Sequence, residues 1–370
     1  CNIAIGQVAL SKNTASNNAA IGVNAMEENT SGTGNVALGT SALKVNTTAS
    51  GNVAVGAFSL QTNTEGFSNV AVGTCQPSGF GAALELNTTG DCNVAVGNGA
   101  LRSNTTAINN TAVGTLALGC NTTGTSNTAV GKTALQANTE ANQNTAIGAD
   151  ALTASTTGAS NTAVGHDALC ANTTGGQNNA IGDGTMDANT TGCRNVAMGN
   201  GAMTKNTEGI CNVAIGHITL QCNLTGDNNT AVGAGALNKN TGSNNTAVGC
   251  GAGSCNTTGG GNVAVGATTG DAITTGSNNT ALGFEAAGKL TTGGDNVAVG
   301  RAALLDTTTQ SGNVAIGVEA LENNTADENV AVGKQALNDN TSGSANTSIG
   351  TFALTKNTTG AENTAVGKDA

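Results

Sequence analysis

The sequence predicts an all-β fold, a parallel β-solenoid or β-roll of about 22 coils with 17 residues per coil. Three observations carry this expectation. A unit opening on Asn restarts at Asn2, Asn18, Asn35, Asn52, Asn69, Asn93 and Asn110, and so on to Asn346 and Asn363. The spacings are 17 residues apart from three of 16 and one of 24. Apolar residues recur at fixed places inside the unit, and a short fixed period of this kind means stacked, near-identical coils. Such a stack is a rod, about 100 Å long at a rise of about 4.8 Å per coil. Its function should lie on its faces and not in a pocket. Residues 1–370 read as one repeat solenoid with a single 7-residue insertion near 74–82.

The elements follow in order around one coil, numbered from its opening Asn as in Asn127–Gln143. Position one is Asn and position five is Gly in all twenty-two copies, and position three is Ala except at Ser348. Position two is mostly Val or Thr, and position four is always Val, Ile, Leu or Met. Their β-branched stiffness predicts a short strand. Gly at position five ends it where a side chain does not fit or φ is positive. Ala-Leu at positions eight and nine, as in Ala134-Leu135 and Ala151-Leu152, forms a second buried stretch. Asn-Thr-Thr-Gly at twelve to fifteen, as in Asn121-Thr122-Thr123-Gly124, is turn chemistry returning the chain to the next coil. Asn at position twelve, kept in seventeen of twenty-one copies, suggests amides bonded along the stack.

Charge placement supports the assignment. Every Lys, Arg, Asp and Glu falls at positions six, seven, ten, eleven or fourteen to seventeen, or in the insertion. The strand and the Ala-Leu pair carry none. With position four taken as the inward side, Val113, Val130, Ile147 and Val164 should stack into a core ladder opposed by Leu118, Leu135, Leu152 and Leu169. The Ala row, including Ala112, Ala129, Ala146 and Ala163, would then face outward. An apolar outer face of that length exceeds what monomers usually expose, so this row is the expected interface with a neighbouring chain.

Composition narrows the function classes. Aromatics are 1% of the chain, with no Trp or Tyr and one Pro, Pro77, so the core must be narrow and aliphatic. A net charge of −11 with 9% charged residues disfavours nucleic acid and a polybasic membrane contact as partners. No apolar run is long enough to span a bilayer. The chain opens at Cys1 without an initiator Met or signal peptide, and both ends look uncapped. The expectation is a segment of something longer, or end-to-end stacking into a filament.

The unit Asn-Thr-Ala-Val-Gly, two variable residues, Ala-Leu, two variable residues and Asn-Thr-Thr-Gly resembles the head-type repeats of trimeric autotransporter adhesins. It is similar also to the longer-period repeats of bacterial and viral tail-fibre proteins, often found ahead of a self-cleaving chaperone domain. The resemblance covers the whole chain. It implies β-rolls joined as parallel homotrimers on a cell or virion surface, and no catalysis, cofactor or metal in the repeats. Ten cysteines depart from that pattern.

Those cysteines all occupy turn positions, which reads as exposed or paired thiols in an extracellular setting. Candidate disulfides are Cys193 with Cys211, Cys75 with Cys92 across the insertion, and Cys250 with Cys255. No CxxC pair supports a zinc site. His166 and His217 both occupy position six and read as solvated turn residues without a nucleophile in relay. Gly259-Gly260-Gly261 is not followed by the Lys of a phosphate loop. Asn-x-Thr acceptors at Asn46, Asn87, Asn104, Asn121, Asn172 and Asn189 read as turn motifs, with glycosylation as the alternative.

Two functions from different classes emerge. The first is a non-enzymatic structural segment of an extracellular or surface fibre, serving adhesion or as a rigid spacer. Its partners would be further copies, as a trimer or filament, and a surface receptor or glycan. The second is an ice-binding solenoid using the Thr ladder at position thirteen, with Thr105, Thr122, Thr139 and Thr156 as its members. A solenoid polysaccharide lyase is disfavoured, because no carboxylate cluster recurs on one face.

Overall fold

The computed structural model of the chain describes residues 1–75 and 81–370. It divides into two compact units, Cys1–Thr191 and Gly192–Ala370. The first holds eleven three-residue strands, from β1 (Ile3–Ile5) to β11 (Asn179–Ile181), including β8 (Thr128–Val130) and β9 (Thr145–Ile147). Within the unit, consecutive strands pair in parallel and in strict register, so that Ala129 lies beside Ala146 and Val130 beside Ile147. The second unit repeats the arrangement from β12 (Val196–Met198) to β22 (Thr364–Val366). No helix occurs among the described residues. Both units are therefore parallel β-solenoids, as the periodicity predicts.

Each coil closes by the same backbone bonds. The amide of Thr128 donates to the Asn144 carbonyl at 2.8 Å, and Gly131 donates to the Val113 carbonyl at 2.8 Å. Position five is Gly for both anticipated reasons at once. Gly131 sits at φ +143, and a Cβ there would lie 2.2 Å from the Gly148 carbonyl oxygen. The strand stops after three residues because only Gly permits that turn so close to the next coil.

The strand faces are the reverse of the expected ones. Ala112, Ala129, Ala146 and Ala163 are fully buried, whereas Val113, Val130 and Ile147 are 36%, 37% and 41% exposed, and Val164 is half-buried. The physical reason is the width of the coil. A seventeen-residue turn brings its opposite wall close to the strand. That wall already contributes Ala at position eight and Leu at position nine, with Leu118, Leu135, Leu152 and Leu169 fully buried. The gap remaining on the strand side admits a methyl group and no more, so Val and Ile turn outward. In the second unit the same rule gives a core of Ala281, Ala298, Ala315 and Ala331 against Ala287, Leu304, Leu321 and Leu337.

Those leucines adopt an uncommon backbone. Leu118, Leu135, Leu152 and Leu169 have φ of 51°, 53°, 52° and 53°, the left-handed region that costs a Cβ-bearing residue about 1–2 kcal/mol. Burying a Leu side chain returns about 1.5–3 kcal/mol. Burial wins, and Leu is retained where Gly would be less strained.

Most of the expected insertion, residues 76–80, lies outside the described residues. On either side of it β5 (Val70–Val72) and β6 (Val94–Val96) still pair in register, Val70 with Val94. The 24-residue spacing therefore leaves the stack's register intact.

Candidate interaction faces

The outward strand face is built by positions two and four. In four successive coils it presents Thr111, Thr128, Thr145 and Thr162 beside Val113, Val130, Ile147 and Val164. In the second unit Val213, Thr230 and Thr246 stand beside Ile215, Val232 and Val248. Because the strands are in register, each column is a straight rank, with neighbours about 4.8 Å apart. The Ala row expected on the outside is buried, and the outward apolar residues are those of the two columns flanking it.

Behind this face run two columns of buried amides. At position twelve the ladder expected from sequence forms: Asn46 Nδ2 donates to Asn29 Oδ1 at 2.6 Å, Asn104 to Asn87 at 2.8 Å, and Asn138 to Asn121 at 2.7 Å. Asn138 Oδ1 has no hydrogen-bond partner, because the next coil carries Ser155 in place of Asn. Asn256 Oδ1 is orphaned likewise, with Ile273 following it. Ser155→Asn should complete the first ladder and stabilise the chain by about 1–2 kcal/mol. A urea midpoint that fails to rise would show that Asn138 gains nothing from the new amide.

The second column, at position one, was present in the sequence as an invariant Asn without an assigned role. Its side chains tie the strand to the adjacent coils, and that of Asn127 bonds three ways. Asn127 Nδ2 donates to the Ala141 carbonyl at 2.9 Å and to Asn110 Oδ1 at 3.2 Å, and its Oδ1 accepts the Asn144 amide at 2.9 Å.

The amide columns also decide the Asn-x-Thr acceptors. Asn46, Asn87, Asn104, Asn121, Asn172 and Asn189 are fully buried in the position-twelve column. In the folded coil they offer no surface for a glycan.

In the position-thirteen column Thr105, Thr122, Thr139 and Thr156 are half-buried. The hydroxyls of Thr105, Thr122 and Thr156 donate to the carbonyls of Thr122, Thr139 and Thr173 at 3.4, 3.0 and 3.2 Å. Thr139 stands in the same column, and its carbonyl takes the Thr122 hydroxyl. These protons knit coil to coil.

No disulfide forms among the described residues, and Cys92, Cys193, Cys211, Cys250 and Cys255 are free thiols. Cys75 is exposed and is not bridged to Cys92. Parallel stacking explains why. Residues one coil apart keep Cβ atoms about 4.8 Å apart, beyond the ~3.8 Å of a disulfide. Cys193 and Cys211, whose backbones bond at 3.1 Å, are displaced by one column besides. Cys75 and Cys92 flank opposite ends of the strand, and Cys250 and Cys255 stand in different columns of one coil.

The turn columns carry the charge. Lys12 bonds Glu28 at 2.6 Å, Lys289 bonds Asp306 at 2.7 Å and Lys356 bonds Asp339 at 2.6 Å, each pair joining adjacent coils. Lys289 also lines a shallow open cleft of about 230 Å³ with Thr268, Asp271, Glu285, Gly288 and Leu305. Burial pushes the Asp271 carboxyl above its ordinary value, while bonds from the Asp271 and Ala272 amides oppose that.

His217 is exposed. His166, expected to be merely solvated, instead has carboxylate partners. Its Nδ1 lies 3.2 Å from Asp167 Oδ2 and 3.3 Å from Asp183 Oδ1.

No helix among the described residues is long and apolar enough to cross a membrane. No family model matches the chain, and no curated protein matches it closely enough to count as a relative.

Proposed function

We propose that the chain is a non-enzymatic structural repeat segment of an extracellular or surface fibre, serving adhesion or as a rigid spacer. Its strand faces would join it to further copies of itself. The observation that carries this reading is the outward rank of Val, Ile and Leu at position four, uncharged along each unit. An apolar stripe repeated over eleven strands exceeds the few hundred Å² that a monomer ordinarily leaves in water. A ligand covering it must match a corrugation of about 4.8 Å at every coil. A second copy of the chain in register does so. The charged turn columns then form a polar rim around an apolar centre, and they are the surface open to a receptor or glycan.

The test is Val130→Arg, at a side chain already reaching solvent. The variant should keep its far-UV circular dichroism while its mass by light scattering falls toward that of one chain. A monomeric parent, or an oligomer indifferent to Val130→Arg and Ile147→Arg combined, would count against self-association.

Ice binding remains the second reading, now favoured by a different column. Four consecutive Thr, at 111, 128, 145 and 162, lie on the flat outward face, half-buried beside the Val rank. Thermal hysteresis, lost in Thr128→Arg, would support it. Plain colligative freezing would end it.

A further inference from the structure

We propose that Asp150, His166 and Asp167, with Asp183 beside them, form a binding site for a divalent first-row transition cation of the zinc class. Three consecutive coils converge there: the first supplies Asp150, the second His166 and Asp167, and the third Asp183. The ligand atoms of Asp150, His166 and Asp167 all lie within 4.8 Å of one another. These solvent-accessible side chains have room to rotate toward a common centre, at the ~2.0–2.2 Å that zinc requires.

The imidazole separates this cluster from an ordinary acidic patch. Its Nδ1 stands between two carboxylates, 3.2 Å from Asp167 and 3.3 Å from Asp183, and so offers a nitrogen donor among oxygens. Calcium and magnesium favour oxygen alone, whereas imidazole with carboxylate suits zinc.

The coil backbone holds the donors in place. Asp150 donates its amide to the Lys132 carbonyl at 3.0 Å, Asp167 to Ala149 at 3.2 Å, and Gly184 to His166 at 3.0 Å. The Thr133 hydroxyl also bonds one carboxylate oxygen of Asp150, as an outer partner orients a metal ligand. A nearby group responds to the same negative field. The Cys170 thiol is pushed up chiefly by burial, and then by the charges of Asp167, Asp187 and Asp150. A bound dication would relieve the crowding of carboxylates and clamp three coils together.

The experiment uses the whole chain with its cysteines alkylated by iodoacetamide, which removes competing thiolates. Titration calorimetry with zinc chloride should give one saturable site per chain. Affinity should fall about tenfold or more in His166→Ala and in Asp167→Asn, and stay unchanged in His217→Ala. Zinc should also raise the melting temperature of the parent and not of His166→Ala. Unchanged far-UV circular dichroism in the variants confirms that they fold. Three results would each overturn the proposal: no saturable zinc binding, binding untouched when His166→Ala and Asp167→Asn are combined, or calcium bound as tightly as zinc.

Discussion

Ala129→Arg is expected to unfold the coils around it, while Val130→Asp, one residue away, leaves them folded. Ala129 is fully buried against the wall that carries the Leu column, and its two strand neighbours in the stack are Ala112 and Ala146. An Arg there has neither room nor a partner charge. Forcing a large group into a packed site costs about 1–3 kcal/mol, and an unpaired buried charge adds about 3–5 kcal/mol more. Coils contact only their neighbours, so a broken coil also withdraws support from the two beside it. Val130 reaches solvent at 37% exposure within one chain, so once copies separate a carboxylate there is hydrated and the coil stays folded. Its cost should remain within about 1 kcal/mol. Urea unfolding followed by circular dichroism separates the two cases. If Ala129→Arg melts like the parent, the inward assignment of the Ala row is wrong.

The fold class was legible because a period survives any error about what the residues do. Asn at position one and Gly at position five in all twenty-two copies fix the length of the coil, and the charges mark its turns. The strand's orientation runs against its pattern of bulk for a definable reason. Bulk marks the interior of a wide core but not of a coil whose two walls are this close. The correct signal was size variance. Column three never departs from Ala or Ser, while column four runs from Val to Met198 and column two admits Asn179. The invariant small column is the one with close neighbours. The left-handed leucines were invisible because Ala-Leu reads as an ordinary apolar pair. His166 meets Asp150 and Asp183 only through stacking, across 16 and 17 residues. That meeting is legible once residues are aligned by column and not by chain order.

The second large effect is expected at Asn127, where the side chain adds to the backbone bonds that hold consecutive coils. Asn127→Ala removes the acceptor of the Asn144 amide, a 2.9 Å bond, and the donor to the Ala141 carbonyl at 2.9 Å. The carbonyl keeps a partner, since Asn138 Nδ2 also reaches it at 3.1 Å. The Asn144 amide does not, and Asn144 is fully buried. An orphaned buried N–H costs about 1–3 kcal/mol, and each lost bond about 1 kcal/mol more, so a loss of about 3 kcal/mol is expected. Asn127→Asp should be worse despite its closer shape. Its oxygen can still accept from Asn144, but the other oxygen would face the Ala141 carbonyl and Asn110 Oδ1, two acceptors, with a charge between them. Asn142, exposed on the turn of the same coil, supplies the control: its Oδ1 also accepts an amide of the adjacent coil, from Thr125 at 2.6 Å, but water can replace it there, so Asn142→Ala should cost only about 1 kcal/mol. Urea midpoints for the three variants, with hydrogen exchange at the Asn144 amide, read the result. Fast exchange there in Asn127→Ala is expected. Protection equal to the parent, with an unchanged midpoint, would mean that the position-one column does not carry the stack.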